Sequence, residues 1–113
     1  MTATVGELPG PGPYQRFIVK YRSDSVPGRD PGKVQARLDR AAASSGLSAG
    51  DGAPQAVSWQ RRLAVQADVF KTDRPLGREQ ALRLMRRLAA DPDVEYVEVD
   101  AMMGVAPERG PQR

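Results

Sequence analysis

Asp91-Pro92-Asp93-Val94-Glu95-Tyr96-Val97-Glu98-Val99-Asp100 is the last structured run of this chain, and its reading completes the fold. Proline disfavours a helical conformation in the residue before it, so Asp91-Pro92 ends a helix. Val94 to Val99 alternates with a period of two and reads as a strand. Glu98 and Asp100 then place two carboxylates where that strand runs out. Carboxylates there call for a cationic partner or for donors such as free helix N-termini. Nothing nearby in the sequence supplies such donors, which leaves another protein as a candidate source.

Working back from Asp91, a helix is predicted from about Gly77 to Ala90, with Gln80 placed to reach back to its cap. Ala81, Leu84, Met85 and Leu88 form its apolar stripe, while Arg78, Arg83, Arg86 and Arg87 fall largely outside it and read as a solvated face. Two short extended runs precede it, Val57 to Leu63 and Ala67 to Thr72, joined by a hairpin turn near Ala64 to Gln66. Upstream of the small-residue loop Gly46 to Pro54 lies a second helix. Asp30-Pro31 supplies its N-cap and first position, Val34, Leu38, Ala41, Ala42 and Ser45 recur at helical spacing, and Gly46 stops it. Gln15 to Arg22 is the first strand: Phe17, Val19 and Tyr21 occupy the core face and leave Ile18 on the other.

The resulting order is βαββαβ. It predicts an α+β fold of the ferredoxin-like kind, a four-stranded antiparallel sheet with two helices on one face. Residues 1–13, with Pro9-Gly10-Pro11-Gly12-Pro13, read as a flexible N-terminal arm, residues 14–102 as the folded domain and residues 103–113 as an extended C-terminal tail.

At 113 residues the chain fits one small domain able to bury a modest core without staples. Cysteine and histidine are both absent, which excludes disulfides, thiolate ligands, imidazole metal sites and His-dependent triads. The net charge of +3 permits nucleic-acid binding without arguing for it. No apolar stretch approaches the roughly 20 residues that span a bilayer. Met1 to Gly12 also lacks the basic start and apolar core of a signal peptide. The chain is therefore expected to be cytoplasmic if Met1 is the native start, or to have lost an export signal.

Enzyme chemistry fits poorly. Asparagine is absent, no glycine-rich anion loop occurs beside a positioned arginine, and Ser44, Ser45, Ser48 and Ser58 have no histidine to activate them. Lys33 and Lys71 fit solvated positions. The pair Asp91/Asp93 belongs to a helix-ending turn, and neither it nor Glu98/Asp100 comes with a second acid–base element. An RNA-binding module shares the element order, yet Ala67-Asp68-Val69-Phe70-Lys71-Thr72 lacks the aromatic and glycine pattern such modules use. A regulatory or oligomerising domain of the same topology is a further alternative.

Three segments carry a more specific resemblance: Arg16-Phe17-Ile18-Val19-Lys20-Tyr21, Leu82 to Ala90 leading into Asp91-Pro92-Asp93-Val94, and Glu95 to Asp100. Together with Arg61-Arg62-Leu63-Ala64-Val65 and Lys71-Thr72-Asp73-Arg74-Pro75-Leu76, their order and spacing resemble the propeptides of subtilisin-like serine proteases, in particular those of secreted Gram-negative subtilases. The resemblance covers about Arg16 to Met103. It implies a ferredoxin-like domain that binds a subtilase, assists its folding and inhibits it, with no catalytic activity of its own and no cofactor.

By that resemblance the open sheet face packs on two protease helices, Glu98 and Asp100 cap their N-termini, and Tyr96 and Ile18 join the interface. Met103, Gly104, Val105 and Ala106 would lie in the substrate cleft, with Met103 in the pocket four residues from the cleavage point. Pro107 departs from the family's pattern, because proline is a poor residue just beyond a scissile bond. The expected partner is the cognate protease domain, with neither nucleic acid nor membrane, and the free domain is expected to be a monomer. Secretion or a periplasmic location, alongside or joined to the protease, is implied as well.

Overall fold

The structure, a computed structural model, describes residues 3–8, 10, 12–46 and 56–100. Its elements are β1 (Thr4–Val5), β2 (Tyr14–Tyr21), α1 (Val26–Arg29), a 3-10 turn (Pro31–Lys33), α2 (Val34–Ser44), β3 (Val57–Arg62), β4 (Asp68–Leu76), α3 (Arg78–Ala89) and β5 (Val94–Val99). The strands form one five-stranded sheet in the order β1-β5-β2-β4-β3. The pairs β5-β2, β2-β4 and β4-β3 are antiparallel, whereas β1 runs parallel to β5.

The expected four-stranded ferredoxin-like sheet is therefore corrected to a mixed sheet of five. The added strand comes from the segment expected to be a flexible arm, where Thr4 and Val5 lie beside Tyr96 and Val97. An open strand edge offers unpaired backbone groups, and a neighbouring segment that can pair with them and bury apolar surface gains on both counts. Val5 packs against the core and Leu8 is buried in it. Arg78 fixes the exit of this segment by donating to the carbonyls of Leu8 at 3.1 Å and Gly10 at 2.9 Å. The Tyr14 hydroxyl also donates to the Gly10 carbonyl.

Strict alternation on β2 sends Phe17, Val19 and Tyr21 into the core beneath the helices, where they are almost fully buried. Phe17 stacks on Phe70 of β4 with ring centroids 5.3 Å apart and planes 16° from parallel. Such a pair adds about 0.5–1.5 kcal/mol to the burial of its area. The stripes expected on the helices close the core from the other side: Val34, Leu38, Ala41 and Ala42 on α2, with Ala81, Leu84, Met85 and Leu88 on α3. Gln80 accepts from the Gly77 backbone N–H at 3.2 Å, as its spacing predicts. At the far end of α2, Gly46 takes φ = 80°, the left-handed conformation that ends helices and suits glycine. Positions 47–55, which hold most of the predicted loop, lie outside the described residues.

One helix was not expected. Ser25 caps α1 by accepting from the Gly28 N–H at 3.1 Å, so Asp30 caps only the 3-10 turn that leads into α2. At Gly28 a Cβ would come within 1.8 Å of the Arg22 carbonyl oxygen, so this close backbone approach requires glycine. Arg62 ties α1 to the sheet by donating to the carbonyls of Gly28 at 2.7 Å and Pro27 at 2.8 Å. Strand β4 runs beyond the expected Thr72 to Leu76 and includes Pro75. Proline is tolerated there because the β3 partner has already ended at Val57 opposite Thr72.

Candidate protein-binding face

The face of the sheet away from the helices is built by register. Ile18 lies opposite Glu98 of β5 on one side and Val69 of β4 on the other. Lys20 pairs with Tyr96, and Arg16 with Lys71. Residues opposed across an antiparallel ladder project to the same side, so these residues share the face that Phe17, Val19 and Phe70 turn away from. Its centre is apolar, Ile18 against Val69, and its surround carries Tyr96, Glu98, Arg16, Lys20 and Lys71. The Lys20 ammonium reaches back to the carbonyl of Val65 at 3.1 Å in the β3–β4 turn.

Three of the predicted interface residues are brought together here. Ile18 and Tyr96 are half-buried, and Glu98 is exposed. Among the described residues the Glu98 side chain makes neither a hydrogen bond nor an ion pair. Partial burial, together with the nearby carboxylates of Glu98 and Glu95, raises the pKa of Tyr96, so its hydroxyl remains a hydrogen-bond donor at neutral pH. Asp100 follows β5 directly, half-buried, with its backbone N–H on the Arg16 carbonyl at 3.0 Å. The cleft-binding tail, Met103, Gly104, Val105 and Ala106, lies outside the described residues.

Val69 and Lys20 complete the face and were not singled out from sequence. The signal for Val69 was present, because its neighbour Phe70 fills the core and alternation must send Val69 the other way. The rejected catalytic pair Asp91/Asp93 proves to be a clasp: Arg37 of α2 reaches Asp91 at 2.8 Å and Asp93 at 3.0 Å. Asp91 also accepts from the Asp93 N–H at 2.9 Å, which closes the turn before β5. Phe17 and Phe70, the aromatics that an RNA-stacking sheet would expose, lie inside the core. Among the described residues no group of acidic side chains is arranged to hold a metal ion.

An α+β domain whose open sheet face sets an apolar centre within charged residues has the make-up of a protein-binding surface. Over 90 residues, 80% of this chain, the sequence is 38% identical to a protein of Xanthomonas campestris pv. campestris named an extracellular protease. The chain is thus similar to part of an extracellular protease and spans 15% of that protein's length. No family model matches the chain, and no solved structure does. Among the described residues no helix is long and apolar enough to cross a membrane.

Proposed function

We propose that this domain is a propeptide-like inhibitor and folding chaperone of a subtilisin-like serine protease, secreted with it. The similarity to a short part of an extracellular protease carries the reading, because a propeptide is a minor part of such a precursor. The open sheet face supports it physically. Ile18, half-buried beside the covered Val69, offers apolar area to a partner, and Glu98 offers a carboxylate that nothing else in the described residues engages.

In this reading the sheet docks on two helices of the protease, and Glu98 and Asp100 accept from the N–H groups at their N-termini. Each contact would contribute roughly 0.3–2 kcal/mol. The chain beyond Asp100 would then continue from the edge of that interface into the substrate cleft, held as an added strand through main-chain hydrogen bonds. The domain itself performs no catalysis and needs no cofactor for this. The test is a titration of the purified domain into a subtilisin-type protease acting on a chromogenic substrate. Saturable inhibition at or below micromolar concentration is expected, and its absence with the cognate and related subtilases would overturn the reading.

A further inference from the structure

On the side opposite the proposed docking face, α2 and α3 leave an open cleft of ≈ 600 Å³ bordered by Ser44, Glu79, Leu82, Arg83, Arg86 and Arg87. A second cleft of ≈ 250 Å³ adjoins it through Ser44 and Arg87 and adds Arg40 and Leu88. The guanidiniums here are poorly neutralised. Among the described residues no carboxylate lies within ion-pair distance of Arg40, Arg83, Arg86 or Arg87. Glu79 borders the cleft without pairing, and Arg37 is occupied by Asp91 and Asp93. Arg87 instead donates to the Ser44 hydroxyl at 2.8 Å, which holds its guanidinium across the gap between the helices.

We infer that this helix-side groove binds an acidic peptide segment of a partner protein. Unpaired guanidiniums suit carboxylates, which they can engage with two parallel hydrogen bonds. Leu82, half-buried, supplies apolar surface beside the charges for the aliphatic parts of such a segment. The neighbouring chemistry disfavours other anions. Among the described residues no aromatic side chain borders either cleft to stack on bases. Among the described residues the large hydrophobic residues that stand exposed, Val26 and Val65, border neither cleft, so none of the described residues beside the groove is placed to enter a bilayer. The groove and the sheet face lie on opposite sides of the domain, so this inference does not depend on protease binding.

The test is fluorescence anisotropy of a labelled glutamate-rich peptide titrated with the full chain at low salt, with Arg83→Glu/Arg86→Glu as the variant. Binding is expected to weaken by about tenfold or more in the variant. It should be unchanged in Arg61→Glu, a charge reversal on exposed β3, and in Glu98→Ala. Circular dichroism would check that the helices are intact. Absence of binding by the native chain, or equal loss in Arg61→Glu, would overturn the inference. So would tighter binding to phosphatidylglycerol vesicles or to single-stranded DNA than to the peptide.

Discussion

Ile18 and Glu98 stand directly opposite each other across the β2–β5 ladder, an apolar side chain beside a carboxylate that is exposed and unengaged among the described residues. An exposed carboxylate contributes little to the stability of its own domain, so its replacement separates binding from folding. Glu98→Ala combined with Asp100→Ala should raise the inhibition constant toward a subtilisin-type protease by from about threefold to several hundredfold, taking roughly 0.3–2 kcal/mol for each carboxylate on a helix N-terminus. An unchanged inhibition constant would remove these residues from the interface. For Glu98→Ala alone, the unfolding free energy should stay within about 0.5 kcal/mol.

The tail gives a prediction of a different kind. If docking and cleft blockage belong to separate parts of the chain, deleting Met103 to Arg113 should abolish inhibition and leave measurable binding to the protease through the sheet. Surface plasmon resonance with immobilised, active-site-blocked protease would detect that residual binding. Equal inhibition by the truncated and complete chains would mean that the tail is idle.

Tyr21 is buried in the core, and among the described residues its hydroxyl has no hydrogen-bond partner. Burial, reinforced by the Asp91 carboxylate, holds its pKa far above the ordinary tyrosine value. Both folded and unfolded states are protonated below about pH 10, where the unfolded tyrosine titrates. As the pH rises beyond that, only the unfolded state releases the proton, and stability falls until the raised folded pKa is reached. Tyr21→Phe should therefore flatten the alkaline decline in stability measured by denaturant unfolding. At neutral pH it should leave stability unchanged or raise it by up to about 1–3 kcal/mol. A clear loss at neutral pH would show that the hydroxyl has a partner.

Asp68 presents the opposite case, a fully buried carboxylate with every need met. Arg62 grips it with two hydrogen bonds, at 3.0 and 2.9 Å, and the Trp59 indole N–H donates at 3.0 Å. Since Arg62 also holds the carbonyls of Pro27 and Gly28, removing the carboxylate strands a largely buried guanidinium and loosens α1. Asp68→Ala is expected to cost about 3–5 kcal/mol in urea unfolding. A cost below about 1 kcal/mol would mean that the pair is dispensable.

The difference between Asp68 and Ile18 shows what could be read from the sequence. Local periodicity assigned Phe17, Val19 and Tyr21 to the core and Ile18 to the open face, because alternation along one strand is a local property. The cap at Gln80 and the helix stop before Asp91-Pro92 were legible for the same reason. An acidic residue in a strand reads as solvated, and only the fold brings Arg62 and Trp59 to Asp68. β1 was hidden because its two residues carry no periodic signal, and the proline and glycine after it mark the whole segment as unstructured. Glu98 and Tyr96 were placed on one face correctly, but the apolar centre they surround needs Val69, which arrives from a different strand.

The outer edge of β3 supports a final prediction. Gln35 of α2 lays its amide along that edge, donating to the Val57 carbonyl at 2.9 Å and accepting from the Trp59 N–H at 2.8 Å. A side-chain amide bonded in this way mimics one residue of a neighbouring strand and occupies groups through which another chain could pair. At the other edge of the sheet β1 covers β5, so Gln35 guards the edge that no strand protects among the described residues. Gln35→Ala should expose those two backbone groups and lower stability by about 1–2 kcal/mol. It should also make the protein self-associate at high concentration, as a faster-sedimenting species in analytical ultracentrifugation. A variant with the native sedimentation profile at all concentrations would show that the short β3 edge, with the exposed Arg61 near its end, resists pairing without the Gln35 amide.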